Sequence, residues 1–355
     1  MGRKVLIAMS GGVDSSVAAL KLIENDYNPI GVTLRMWRPG RDKHLEDAVR
    51  KSKEICKRLN IPHKVVDVRS DFEKCIVQDF VEGYLSGVTP NPCVYCNKQI
   101  KWETLIDLAD KMDVELVATG HYARIFHNAN TSRYEILKGV DPSKDQSYAL
   151  WQLSQDDLSK TILPLGNVKK SEVFKIAEKN SLFYDNLSES QDICFIPNNN
   201  YRDFLIDYAP EQIRKIGRGE LVDEEGNVLG FHNGFYNFTI GQRKGFKMGF
   251  GGRRYVKKID AKNNRIVISK EQGLYSIEIV LNKINWVSIP SASTLEGIVK
   301  IRYNHPGIKC YVKTYGSDML KVTFDEPQRA VTPGQSAVLY QGEKLVFGGI
   351  ITTEK

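Results

Sequence analysis

The sequence predicts a multidomain protein of the α/β plus β class: a parallel-sheet domain first, a mostly helical segment next, and two small β domains last. Three observations predict it. Apolar β-type runs alternate with helix-period segments through about residue 125, residues 145 to 205 lack strand alternation, and from about 215 Gly, Asn and Asp turns separate short β-type runs. A chain of 355 residues is long enough for two or three well-buried cores, and the texture divides it at 1–145, 146–208, 209–275 and 276–355.

The first element is the apolar run Val5 to Met9, followed by Ser10-Gly-Gly-Val-Asp-Ser15 and a helix pattern from Ser16 to Ile23. Small residues let a strand-to-helix loop turn sharply and aim N–H groups at a phosphate, with the helix dipole adding to the attraction. This segment is expected to bind ATP. It lacks the Gly-Lys-[Ser/Thr] ending of a Walker loop, which argues against the kinase and GTPase pattern. Further strands are expected at Pro29–Leu34, Lys64–Val68 and Val114–Thr119. Ligands of such sheets bind at the strands' carboxyl ends, which puts the Ser10 loop, the turn from Leu34 to Trp37, and Gly120-His121 on one rim.

In the helical segment, Leu150, Leu153, Leu158, Val173 and Ile176 are the expected core positions. The β texture is carried by Ile266–Ser269, Gly297–Arg302, Leu320–Phe324 and Ala337–Tyr340. No stretch approaches the roughly 18 apolar residues of a membrane span, and the start runs directly into a strand, so a cytoplasmic protein with no membrane partner is expected. A net charge of +7 permits a nucleic-acid partner without requiring one. Between Gln242 and Lys258, Arg243, Lys244, Lys247, Arg253, Arg254, Lys257 and Lys258 alternate with Phe246, Phe250 and Tyr255 and no acid. Such a stretch suits RNA phosphates and unpaired bases, with a solvated basic hairpin as the plain alternative.

Six cysteines in a reducing compartment read as core residues, reactive thiols or metal ligands. Cys56, Cys75 and Cys310 are expected in the core. Asn91-Pro92-Cys93-Val94-Tyr95-Cys96 joins a proline-held turn to two thiols just before a helix pattern. A thiol at a helix N-terminus has a stabilised thiolate, which marks Cys96 as a nucleophile or a soft-metal ligand. A closed zinc site needs four ligands, and the only other thiol offered is the lone Cys194.

Ser-Gly-Gly-Val-Asp-Ser-Ser, Asn-Pro-x-x-x-Cys-Asn-Lys, Ala-Thr-Gly-His-Tyr, Lys144-Asp-Gln-Ser, Cys194-Phe-Ile, Gly241-Gln-Arg-Lys-Gly and Thr332-Pro-Gly-Gln-Ser occur in this order. The phosphate loop resembles that of the PP-loop ATP pyrophosphatases, adenine nucleotide alpha hydrolase-like domains. By itself it also fits GMP, argininosuccinate, NAD and lysidine synthetases. The full series resembles the bacterial tRNA-specific 2-thiouridylase (MnmA) family over nearly the whole chain.

That resemblance implies a β-barrel as the last domain and an ATP site at Ala8, Met9, Ser10, Gly11, Gly12, Val13, Asp14 and Ser15, completed by Leu34 and Gly120, with Asp14 organising Mg²⁺. It implies that the wobble uridine of a tRNA of Lys, Glu or Gln type is adenylated at O2 and then thiolated. Cys194 would take sulfur from a donor protein, a desulfurase or a sulfur carrier, as a persulfide, and Cys96 would free it as nucleophile, leaving a disulfide. Asn91, Pro92 and Cys93 are implied at the target base. His121, Lys144, Asp145, Gln146, Arg302, Tyr303 and Gln335 are implied at tRNA. Many members carry Asp where this chain has Cys93, so no carboxylate role transfers. The third thiol leaves a second route open, a [4Fe-4S] cluster on Cys93, Cys96 and Cys194. The rival readings are a PP-loop enzyme adenylating a small molecule, another tRNA-modifying PP-loop enzyme, and a non-catalytic RNA-binding or sulfur-carrier module.

Overall fold

The computed structural model describes residues 2–39, 42–182, 193–243 and 252–353. β1 (Lys4–Ala8) runs into helix α1 (Val13–Glu24), and β2 (Asn28–Arg35), β3 (His63–Asp67) and β4 (Leu116–Ala118) follow, each close to its expected place. Val5, Leu6, Ile7 and Val32 are fully buried, because strands covered by helices on both faces can be apolar throughout. β4 is shorter than the expected Val114–Thr119, since only Leu116, Val117 and Ala118 pair with β1.

The chain then makes an antiparallel hairpin, β5 (Ala123–Asn128) and β6 (Arg133–Lys138), before β7 (Thr161–Ile162) returns to the first sheet. The parallel order is β3-β2-β1-β4-β7. β7 corrects the strand-free reading of residues 145 to 205: it is two residues long, too short to show alternation, and pairs only with β4. Leu150, Leu153, Leu158 and Val173 are buried in the core, and Ile176 is half-buried against it.

The next domain is a four-stranded sheet ordered β10-β11-β8-β9 from β8 (Gly219–Val222), β9 (Val228–His232), β10 (Tyr255–Asp260) and β11 (Arg265–Ser269). The last is a closed six-stranded antiparallel barrel of β12 (Tyr275–Trp286), β13 (Thr294–Lys300), β14 (Ile308–Tyr315), β15 (Met319–Arg329), β16 (Ser336–Gln341) and β17 (Lys344–Thr352), closed by β12 against β17. β6 continues this sheet, pairing Leu137 with Lys344 and Ile136 with Leu345. The barrel therefore borrows an edge hairpin from the chain of the first domain. No described helix is long and apolar enough to cross a membrane.

Candidate active site

The sheet order reverses between β1 and β4, where an open parallel sheet forms its ligand crevice. The turn after β1 lies on one side. Gly11 adopts φ +76°, and a Cβ there would meet the Ala48 carbonyl oxygen at 2.9 Å, so glycine is required. Ser15 and Ser16 hydroxyls donate to the Gly12 carbonyl at 3.0 and 2.8 Å and brace the loop. Gly12 starts α1 without a side-chain cap, the arrangement that leaves a helix N-terminus to an anion. The turn after β4 lies on the other side, where a Cβ on Gly120 would sit 3.1 Å from the Asp14 carbonyl carbon and the Ser15 nitrogen. Ala8, Met9, Ser10, Val13 and Ser15 are thus gathered with Gly120, and Leu34 lies near the end of neighbouring β2.

The Asp14 carboxylate is engaged from below. Lys170, on the helix Lys170–Lys179, donates to its two oxygens at 2.7 and 2.8 Å, and the Tyr122 hydroxyl donates to it at 2.6 Å. The Lys170 side chain is only 8 % exposed. It also faces the rings of Tyr122 and Phe174, at 5.7 and 4.9 Å.

The thiols form a second cluster. The helix begins at Pro92, so Cys93 lies in its first turn and Cys96 in the second, which corrects the placement of Cys96 at a helix N-terminus. From Cys96 to Trp102 the helix is wound as a π-helix. Its i→i+5 bonding closes a turn over five residues and brings Lys101 onto the face of Cys96. Cys194 arrives from the other side, held by neighbouring Phe195, whose ring packs at 5.3–5.8 Å against Phe72, Phe80 and Phe204. Cys93 and Cys194 reach the surface, while Cys96 is 7 % exposed. All three are nonetheless crowded by protein and feel one another's charge. Burial raises each thiol, Cys96 to about 12, and the Lys101 ammonium opposes the rise at all three. Arg38 opposes it further at Cys194. The expected stabilised thiolate at Cys96 is therefore corrected: desolvation outweighs the dipole.

Lys101 escaped the sequence reading, because its relation to Cys96 exists only in the π winding. Its Nζ donates to Asn97 Oδ1 at 2.9 Å, and the buried Asn97 donates to the Ala149 carbonyl at 3.0 Å. Lys98, in the same motif, pairs with buried Asp157 at 2.9 Å and is a structural link.

Most of the remaining expected residues have internal partners. Asn91 precedes the helix as its N-cap residue, without a side-chain cap, and Pro92 is buried. His121 bonds Thr119 Oγ1 at 2.7 Å beside the Trp102 ring, and burial holds its pKa well below the ordinary value. Asp145 accepts from Gly139 and Ser147 backbone N–H groups, each at 3.1 Å, and Gln146 Oε1 accepts from Tyr122 N–H at 3.0 Å. Lys144 is half-buried in the same turn. Arg302 and Tyr303 are exposed, and the Tyr303 hydroxyl donates to the Asp145 carbonyl at 3.1 Å. Gln335 donates to the carbonyls of Thr89 and Pro90. In the basic stretch, Tyr255 is not available for stacking: it is 6 % exposed with the Arg329 guanidinium over its ring. Lys257 pairs with Glu224, Arg243 and Arg253 are exposed, and Lys244, Phe246, Lys247 and Phe250 lie outside the described residues.

Three family models match in series: a tRNA methyl transferase HUP domain over residues 3–198, its PRC-barrel domain over 202–270, and an aminomethyltransferase beta-barrel domain over 276–351. A tRNA-specific 2-thiouridylase MnmA of Lachnoclostridium phytofermentans is 41% identical, with 98% of this chain and 99% of that protein covered. The chain belongs to the tRNA-specific 2-thiouridylase family. Another thiouridylase, from Natranaerobius thermophilus, is 40% identical over 100% of both chains, and one from Clostridioides difficile is 39% identical over 99% and 98%. A solved 4-thiouridine synthetase in complex with RNA and ATP is 19% identical with a TM-score of 0.36, covering 59% of this chain and 51% of that one, a likeness too slight to carry weight.

Three neighbouring thiols make the donor set of a metal centre only where they converge on one point. Among the described residues no three His, Cys, Asp or Glu side chains are grouped to hold a metal ion. Cys93, Cys96 and Cys194 are close enough to feel one another's charge without being drawn together around one point. Mg²⁺ asks for one or two carboxylates besides phosphate oxygens, and the loop's own carboxylate, Asp14, is held by Lys170 and Tyr122. All six cysteines are free thiols.

Proposed function

We propose that this protein is an ATP-dependent tRNA-uridine 2-sulfurtransferase that converts a wobble uridine to 2-thiouridine. ATP, accompanied by Mg²⁺, lies along the Ala8–Ser15 loop against Gly120, with its phosphates at the uncapped start of α1. The uridine, in the turn Asn91 to Cys93, attacks the α-phosphorus through O2. Pyrophosphate leaves, and the C2–O bond now carries AMP as leaving group. Lys144, Arg302, Tyr303 and the basic rim at Arg243 and Arg253 face the tRNA, and Asp145, Gln146 and His121, with their internal partners, shape the wall behind them.

A donor protein's persulfide passes its outer sulfur to Cys194. The Cys96 thiolate attacks the inner sulfur of the Cys194 persulfide, the S–S bond breaks, and hydrosulfide leaves as the Cys96–Cys194 disulfide forms. Hydrosulfide adds at C2 and AMP departs. A dithiol reductant then restores both cysteines with two electrons. Burial keeps Cys96 protonated in the resting protein, and Lys101 supplies the positive charge against which its thiolate forms.

What supports this reading is one observation: Cys96 and Cys194, from segments far apart in the chain, lie within electrostatic reach of the same Lys101 ammonium in a chain 41% identical to a thiouridylase over 98% of its length. The test is an anaerobic reaction of protein, ATP, Mg²⁺, tRNA and a persulfide donor, read as 2-thiouridine by mass spectrometry. Cys96→Ser and Cys194→Ser should each abolish product while adenylation persists. ATP cleavage indifferent to tRNA, with no thiolated nucleoside, would favour the small-molecule reading.

A further inference from the structure

The turn between β15 and β16 reaches out of the barrel to the segment that precedes Cys93. Its own backbone is fixed: Gly334 N–H donates to Ile351, and Ile351 N–H donates to Gln335, both at 2.8 Å. From this base the Gln335 amide donates to the Thr89 carbonyl at 2.9 Å and to the Pro90 carbonyl at 3.2 Å. Thr89 N–H returns a bond to the Pro333 carbonyl at 3.2 Å. Gly334, at φ +89°, lies so close that a Cβ would be 2.2 Å from Val88 Cγ1 and 2.9 Å from the Thr89 oxygen. On the opposite face, Pro90 is backed by Gly83, where a Cβ would come within 3.0 Å of the proline ring. The segment 88–90 is thus gripped from two sides immediately before Asn91 and Pro92 start the helix of Cys93 and Cys96.

We propose that Gln335 is a positioning residue: with Gly334 it clamps Thr89 and Pro90, fixing the base-binding turn and the two helix thiols to the barrel. Its amide nitrogen donates to both carbonyls, which is the geometry of a clamp. The placement makes the barrel part of the thiolation site. tRNA contacts at Arg302 and Tyr303 then bear on the same rigid body that sets where the uridine enters. This proposal rests on the thiouridylase reading for its chemistry, though not for its structural part.

The experiment pairs hydrogen exchange with single-turnover thiolation in wild type, Gln335→Met, Gln335→Asn and Gly334→Ala. In Gln335→Met, which keeps the length and removes the donors, amide exchange in residues 88–95 should speed by about tenfold, the loss expected for two hydrogen bonds reduced to none. The thiolation rate at saturating tRNA should fall by a similar factor while the tRNA Kd stays within about twofold. Gly334→Ala should behave alike, and Gln335→Asn should recover part of both. Unchanged exchange of 88–95 in Gln335→Met and Gly334→Ala overturns the clamp whatever activity does. A weaker tRNA Kd with an unchanged rate at saturation overturns the positioning role and makes Gln335 an RNA contact. Exchange is measured without ATP or tRNA, so its failure is distinct from failure of the sulfurtransferase reading.

Discussion

The Asp14–Lys170 pair makes an asymmetric prediction. The Lys170 side chain is 8 % exposed and that of Asp14 is 36 % exposed. Removing the carboxylate takes two charge-assisted hydrogen bonds from a buried ammonium, whereas removing the ammonium leaves a carboxylate that reaches water and keeps the Tyr122 hydroxyl as donor. Breaking a fully buried pair costs about 3–5 kcal/mol, which sets Asp14→Ala near 3–4 kcal/mol, including the loss of an acid at the start of α1. Solvent discounts the reverse deletion to about 1–2 kcal/mol for Lys170→Met. For a unit of about 200 residues each kcal/mol lowers the melting temperature by roughly 2–4 °C. Calorimetry on the full chain should therefore move the transition of the first domain by roughly 6–16 °C in Asp14→Ala and roughly 2–8 °C in Lys170→Met. The double variant should fall near Lys170→Met, because the buried ammonium has gone together with its carboxylate. Equal losses, or a larger loss in Lys170→Met, would refute the burial argument.

Three further outcomes follow from the site. Lys101→Met should raise the three thiols further, so alkylation of Cys93 and Cys194 at pH 8, read peptide by peptide, should slow by about tenfold with its pH profile displaced upward, and Lys101→Arg should restore it; identical profiles would remove Lys101 from the chemistry. His121 is held neutral by burial, so its folded pKa lies below its unfolded value, and its share of stability is complete above about pH 6.5 and drains away as pH falls towards the folded value. His121→Gln should accordingly lose less stability than wild type between pH 7.5 and 5.5 in urea titrations; equal losses would contradict this. In Gly120→Ala the new methyl would press on the Asp14–Ser15 backbone at 3.1 Å, and ATP should bind about tenfold more weakly by calorimetry with tRNA affinity unmoved; an ATP Kd within twofold would falsify the contact.

What the sequence disclosed and what it hid divide by range. β1 to β4 and the loop at Ser10 were legible because each is a local pattern: an apolar run, small residues, a helix period. The β5–β6 hairpin was missed because its partner, β17, lies two hundred residues on, and alternation in a strand does not name the sheet it joins. The thiols are legible as a motif, but the pKa of Cys96 depends on packing that the motif does not carry. Cys96 is buried partly by the cluster that Phe195 joins, a neighbour supplied by a remote segment. Lys101 was invisible because helix reasoning at 3.6 residues per turn sends it away from Cys96, and the π turn brings it back.

The borrowed hairpin carries a consequence for how this chain can be cut or recombined. Ile136 is fully buried among Trp151, Tyr340 and Leu345, and Lys138 N–H bonds the Glu343 carbonyl at 2.9 Å, so β6 is finished only by β17. A fragment stopping at 275 would display β6 as a bare edge with an apolar row, an invitation to pair with another copy. A graft that exchanges barrels between relatives must carry residues 123–138 with the barrel, although they lie in the opposite half of the chain. The unit of inheritance here is therefore set by hydrogen-bond partners and not by the order in which the ribosome makes them.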